Sequence, residues 1–170
     1  MKNILAFGDS LTWGFEAGTF RRHAFENRWP NVLAAGLGGK ARVIEEGMNG
    51  RTTVFPDPIC EAERNGAVAL PMLLATHQPL ALVIIMLGTN DSPGLNWSER
   101  RDRFRSAFRA LITGFRGLKS KPEIVVLRPP PMFFDESDWR PRNLIDEIIP
   151  LELTLASVEG CLVFNAYDLF

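Results

Sequence analysis

The sequence predicts a three-layer α/β/α sandwich built on a five-stranded parallel sheet. Three observations carry that prediction. Five short apolar runs recur about every 40 residues, the length of a βαβ unit. The runs are rich in Val, Ile and Leu without clean polar alternation, so both faces of each strand are expected to be covered by helices. The stretches between them carry helical signals, and right-handed crossovers turn that alternation into a layered fold.

In chain order, the first strand is residues 3–7, closed by Gly8-Asp9-Ser10. A helix over residues 25–37 ends at Gly38-Gly39 and leads to the second strand, residues 42–45. A further helix, residues 61–76, precedes the third strand at residues 80–87. The clearest helix is residues 98–118, where Phe104, Ala107, Phe108, Leu111, Ile112, Phe115 and Leu118 form one stripe that Ser98 or Asn96 can cap. Residues 123–127 give the fourth strand, and a helix over 143–158, ended by Gly160, leads to the fifth at 161–164. After the fifth strand the pattern calls for a closing helix, and only residues 165–170 follow. The chain is therefore expected to be one domain over residues 1–170, incomplete at its C-terminus.

Composition narrows the function. A 46% apolar content suits one buried core, and a net charge of −1 gives no field favouring nucleic acid or an anionic membrane. The longest uncharged apolar run, residues 79–88, is about half of a bilayer crossing. The N-terminal apolar run, residues 4–7, is shorter than a signal-peptide core, so the expected address is cytoplasmic. Cys60 and Cys161 form no CxxC or Cys/His cluster, so neither a disulfide scaffold nor a zinc site is expected.

In a doubly wound sheet the ligand site lies beyond the C-terminal strand ends. Those positions here are Gly8-Asp9-Ser10-Leu11, Gly47-Met48-Asn49-Gly50 and Gly88-Thr89-Asn90-Asp91. They bring a hydroxyl, glycine amides and a carboxamide towards one edge. Acyl transfer needs such a set: a nucleophile beside donors that hold the oxyanion of a tetrahedral intermediate. Ser10, the Gly47 amide and Asn90 suffice, with glycine at 47 letting the backbone approach a ligand.

Phe7-Gly8-Asp9-Ser10-Leu11 and Gly88-Thr89-Asn90-Asp91 resemble the first and third conserved blocks of the SGNH, or GDSL-type, serine hydrolases. Glu45-Glu46-Gly47 and Gly50-Arg51-Thr52-Thr53 are similar to their arylesterase and acyltransferase branch. The resemblance implies a flavodoxin-like sandwich and an esterase or acyltransferase acting on small acyl or aryl esters. Ser10 would be the nucleophile, with its own amide, Gly47 and Asn90 as oxyanion donors and Trp13 walling the acyl pocket. It implies no cofactor, no metal and a tendency to form homo-oligomers. It also implies an Asp-x-x-His block beyond the fifth strand, which this sequence lacks, since no histidine follows Asp168. His77 precedes the third strand and is expected about 20 Å from the catalytic edge. His23 lies on the correct side but matches no family position. The chain alone is thus expected to be inactive, and a non-catalytic acyl- or carbohydrate-binding module is the alternative.

Several features have plainer readings. Gly-Asp-Ser-Leu also suits a turn with Ser10 capping the next helix. Asp9 and Asp91 are expected to bond loop amides, and Arg51 to be a solvated or loop-bracing group. The arginines at 100, 101, 103, 105, 109 and 116 are expected to form a solvated helix face without the aromatic ladder of a nucleic-acid binder. Gly36-Leu37-Gly38-Gly39-Lys40 ends a helix, whereas a phosphate loop follows a strand. Pro129-Pro130-Pro131, Phe133, Phe134 and Trp97 either rim an apolar acyl pocket or serve loop packing or a subunit contact. A flavodoxin-like nucleotide binder fits the topology but not the chemistry of the strand ends.

Overall fold

A computed structural model describes residues 1–56, 63–91, 97–130 and 147–166. In chain order the elements are β1 (Lys2–Gly8), α1 (Ser10–Trp13), β2 (Phe15–Glu16), β3 (Arg21–Arg22), α2 (Trp29–Gly36), β4 (Ala41–Gly47) and α3 (Gly66–His77). There follow β5 (Leu82–Met86), α4 (Trp97–Arg116), β6 (Glu123–Arg128), α5 (Ile149–Val158) and β7 (Leu162–Asn165). The five apolar runs form one parallel sheet of order β4-β1-β5-β6-β7, as the sequence predicts. The short β2 and β3 pair as an antiparallel hairpin that periodicity does not reveal.

The order makes β1 the switch point, because the chain leaves it towards β4 and returns on the other side at β5. Gly8 is consequently in register with Gly47 on one flank and Met86 on the other. Three successive strand ends therefore stand side by side, which is where ligands bind in such sheets.

One face of the sheet is covered by α3, α4 and α5 except at the edge strand, where Val163 is 44% exposed. The α4 stripe reads as expected: Phe104, Phe108, Leu111, Ile112 and Phe115 are fully buried against Val83, Ile85, Ile124 and Val126. Phe115 meets Phe7 edge-on at 5.9 Å between ring centres. The arginine face is solvated only in part: Arg109 and Arg116 both meet Glu159 and Arg105 meets Asp102, whereas Arg100 and Arg103 lie over the Phe55 ring, 3.8 and 5.4 Å from its centre, and Arg100 is partly desolvated beside Asp91. The side chains of Asn96 and Ser98, offered as caps for α4, lie outside the described residues.

On the opposite face α2 packs on β4, and a cleft of about 230 Å³ separates it from the rest of the sheet, lined by Trp29, Leu33, Ile84, Val125, Leu127 and Phe164. Leu162 and Phe164 of the edge strand are 59% and 52% exposed. The two sides of the sheet are thus covered unequally among the described residues.

Boundaries differ where local chemistry intervenes. The helix expected over residues 25–37 is a 3-10 turn at Phe25–Asn27 followed by α2, because Arg28 is extended (φ −77°, ψ 133°) ahead of Trp29-Pro30. The one expected from residue 61 starts at Gly66, capped by Asn65, whose side chain accepts from the Ala67 and Val68 N–H groups. The start of the helix predicted from residue 143 lies outside the described residues. No described helix is long and apolar enough to cross a membrane.

This packing has a direct test by denaturant unfolding. Phe108→Ala should cost about 3–5 kcal/mol, the range for a buried phenylalanine. Phe164→Ala, on the half-open face, should cost about 1 kcal/mol or less.

Candidate active site

The site begins with how one helical turn is seated on the sheet. Asp9 is the N-cap of α1: its carboxylate accepts from the Leu11 N–H at 3.0 Å. Ser10 is then the first helical residue and not the cap, which corrects the plainer reading of the motif and leaves its hydroxyl free of that duty. Among the described residues the Ser10 hydroxyl makes no hydrogen bond, and the residue is half-buried.

The turn lies so close to the strand ends that side chains there would collide with it. A Cβ on Gly8 would fall 2.0 Å from Thr12 Oγ1, and one on Gly47 would fall 2.0 Å from the Trp13 amide nitrogen. Glycine at 47 is therefore required by packing of helix on strand. The sequence reading attributed it to the approach of a ligand, and the structure supplies this nearer reason.

Asn90 sits in the 3-10 turn Thr89–Asp91 that follows β5. Its Nδ2 donates to the Arg51 carbonyl at 3.1 Å. Arg51 is 5% exposed, not solvated. Its Nη1 donates to the Gly8 carbonyl at 3.0 Å and to the Glu46 carbonyl, and its guanidinium lies 4.8 Å from the centre of the Phe7 ring. Ser10, Gly47 and Asn90 thus belong to three adjacent strand ends tied together by one arginine.

Both aspartates bond loop amides, as expected. Asp91 accepts from the Thr53 N–H at 2.8 and 2.9 Å and from Val54 N–H at 3.4 Å. Burial raises the Asp9 carboxyl to about 6, against the Leu11 amide bond and the nearby Arg51 charge. Burial likewise raises Asp91 to about 7, against bonds from Thr53 and Val54 and the Arg100 charge. A third acid, Glu152 of α5, is 3% exposed and pushed well above its ordinary value by burial, then by the charges of Asp91 and Asp9. Its carboxyl packs on Gly88, where a Cβ would fall 2.5 Å from Oε1. Among the described residues no group of three or more His, Cys, Asp or Glu could hold a metal.

Trp13 lies beneath the Arg22 guanidinium, 4.7 Å from the ring centre, and its carbonyl accepts from Arg22 Nε at 2.7 Å. Arg22 also pairs with Glu45, which Arg28 and Asn31 engage as well. One face of the tryptophan is therefore covered by cation–π contact. Pro131, Phe133, Phe134, the Trp97 side chain, Cys60 and Asp168 lie outside the described residues. Cys161 is a free thiol, and burial raises its pKa.

Neither histidine makes a hydrogen bond to Ser10 among the described residues. His23 is tied through its backbone to the Gly14 carbonyl at 2.7 Å, beyond the far end of α1. His77 is nearer the strand ends than a count along β5 implies, because its ring reaches across to β4: Nε2 lies 2.7 Å from Glu46 Oε1, on the residue beside Gly47. That contact commits the nitrogen to Glu46.

Sequence reasoning left two residues off the site. Arg51 stands in a polar loop, where nothing in composition signals burial. Glu152 was detectable: Ile148, Ile149, Leu155 and Ala156, its neighbours at helical spacing, are all buried, so a carboxylate sits in the middle of an apolar stripe.

Sheet order and strand-end turns of this kind give a flavodoxin-like α/β/α sandwich with a polar edge beyond β1, β4 and β5. Residues 6–170 match the model of the GDSL-like lipase/acylhydrolase family, and the chain belongs to that family. Among solved structures it resembles a carbohydrate acetylesterase family member from Sinorhizobium meliloti, at 36% identity and a TM-score of 0.86 over 97% of this chain and 83% of that one. A protein of Agrobacterium tumefaciens assigned as an arylesterase gives 39% identity and 0.86, covering 99% of this chain and 85% of the other. The native aryl esterase of M. smegmatis gives 36% and 0.82, with 99% and 85% covered. No curated protein matches significantly.

Two outcomes follow from the geometry. Gly47→Ala should lower stability by at least about 2 kcal/mol in denaturant unfolding, since backbone must move to admit the methyl group. The raised acids set a pH dependence of opposite sign to the usual carboxylate case. In the unfolded chain Asp9 and Asp91 lose their protons near 3.8, in the folded chain near 6 and 7. Their contribution is full below 3.8 and lost as pH rises through 6 to 7, so the thermal midpoint should fall across that window. Glu152→Gln should flatten the fall, and a midpoint that climbs from pH 4 to 7.5 would contradict this.

Proposed function

We propose that this chain carries the nucleophile and oxyanion site of a serine esterase for small acyl or aryl esters. Ser10 Oγ attacks the acyl carbonyl as its proton passes to a base, and the ester C–O bond then breaks to release the alcohol. Water or an acceptor alcohol takes the acyl group from Ser10. The Ser10 N–H, the Gly47 N–H and the Asn90 carboxamide hold the oxyanion. Trp13, its outer face covered by Arg22, walls the acyl side.

The observation that best supports this is the junction at Arg51. One residue bonds the carbonyls of Gly8 and Glu46 and receives the Asn90 amide, so the three proposed donors share a brace. The substrate class rests on the relatives, which are described as carbohydrate acetylesterases and aryl esterases. No metal or organic cofactor enters the scheme.

The proton acceptor is the gap. The chain has two histidines, one held to Glu46 and the other making no bond to Ser10, and the sequence contains no Asp-x-x-His. Loss of a triad base commonly lowers turnover by about 10⁴ to 10⁶. The second reading is a binding module that keeps the oxyanion pocket for acyl or sugar ligands.

The 170-residue chain should therefore hydrolyse nitrophenyl acetate no faster than its Ser10→Ala variant, and fusion to a helix bearing Asp-x-x-His should restore turnover. Robust hydrolysis abolished by Ser10→Ala in the unfused chain would refute the missing-base part. A fluorophosphonate probe separates the two readings: labelling of Ser10 marks an activated nucleophile, whereas saturable ester binding without labelling marks a binder.

A further inference from the structure

We infer that Arg51 is the positioning residue of the oxyanion site, fixing the Gly47 N–H through its guanidinium and the Asn90 amide through its own carbonyl. The esterase reading above supplies the purpose of those donors, and this inference rests on it for that purpose alone.

The Glu46 carbonyl and the Gly47 N–H belong to one planar peptide, with oxygen and hydrogen on opposite sides. Arg51 Nη1 donates to that carbonyl, so the guanidinium sets the plane and with it the direction of the N–H. A charged donor on the oxygen also polarises the peptide and strengthens the N–H as a donor. The same Nη1 donates to the Gly8 carbonyl, from which the chain passes through Asp9 into Ser10. On the third strand end, the Arg51 carbonyl takes one of the two Asn90 amide hydrogens and thereby directs the other.

Burial makes the role specific to arginine. The guanidinium is sandwiched against the Phe7 ring and stands 3.9 Å from Glu46 Oε2, whose partner oxygen is engaged by His77. Burial lowers its pKa, while Glu46 and Asp9 act to raise it. A lysine offers a strongly hydrated point charge with no planar face for Phe7, so Arg51→Lys does not reproduce the geometry.

The test uses the whole chain labelled with nitrogen-15 and reads the Gly47 amide and the Asn90 side-chain amide by NMR. In Arg51→Ala and Arg51→Lys, the Gly47 nitrogen should move upfield as its peptide loses the bond, and the two Asn90 amide protons should lose their separation. Low-millimolar guanidinium should return the Gly47 signal of Arg51→Ala towards its wild-type position, a rescue that a general loss of packing would not allow. If Arg51→Ala fails to fold, Arg51→Lys carries the comparison. A Gly47 signal unmoved in either folded variant overturns the inference. These signals do not need a reactive serine. Displaced signals together with an unlabelled Ser10 would keep Arg51 as the positioning residue and remove the esterase reading, and a labelled Ser10 with an unmoved Gly47 would do the reverse.

Discussion

Everything at the catalytic edge depends on a close approach: the single turn of α1 lies directly on the ends of β1 and β4. Only glycine at 8 and 47 permits it, because a methyl group at either position would overlap Thr12 or the Trp13 backbone. Interiors are packed too tightly to absorb such an overlap without backbone movement. That contact sets Ser10 at the start of the turn whose far end rests on Gly47. Gly8 and Gly47 are thus explained by packing before any ligand is considered.

Around this contact the protein buries four ionisable side chains. Arg51, Asp9, Asp91 and Glu152 are all nearly inaccessible. Each aspartate receives backbone N–H groups, and Arg51 lies among carbonyls and near Glu46 and Asp9, so most of the desolvation is offset locally. Glu152 is the exception: its Oε1 has no hydrogen-bond partner among the described residues, and the charges of Asp91 and Asp9 oppose its ionisation. Burial and the two neighbouring acids disfavour its charged form. Buried polar groups at the mouth of a site cost stability and confer a fixed geometry, and the loops after β1, β4 and β5 are cross-braced in this way.

Much of this was legible in the sequence. The strands were visible because a parallel sheet demands unbroken apolar runs, and the α4 stripe because helical spacing separates Phe104, Phe108 and Phe115 from the arginines. The strand-end turns followed from the rule that such sheets bind ligands at one edge. What escaped was long-range. The contact of His77 with Glu46 joins residues on different elements, and no count along β5 reveals it. The burial of Arg51 depends on Phe7 and on two carbonyls brought together only by sheet order. The β2–β3 hairpin is too short to carry periodicity. Glu152 lay within reach, since a lone acid on an apolar helical stripe is a pattern that spacing alone exposes.

The claim that three groups serve one oxygen is open to direct observation. A crystal structure of the chain soaked with a small aryl phosphonate would locate that oxygen. One phosphonate oxygen within about 3 Å of the Ser10 nitrogen, the Gly47 nitrogen and Asn90 Nδ2 together is the expected result. A phosphonate bound with its oxygens turned away from these donors, or seated only in the apolar cleft beside Trp29 and Phe164, would contradict it.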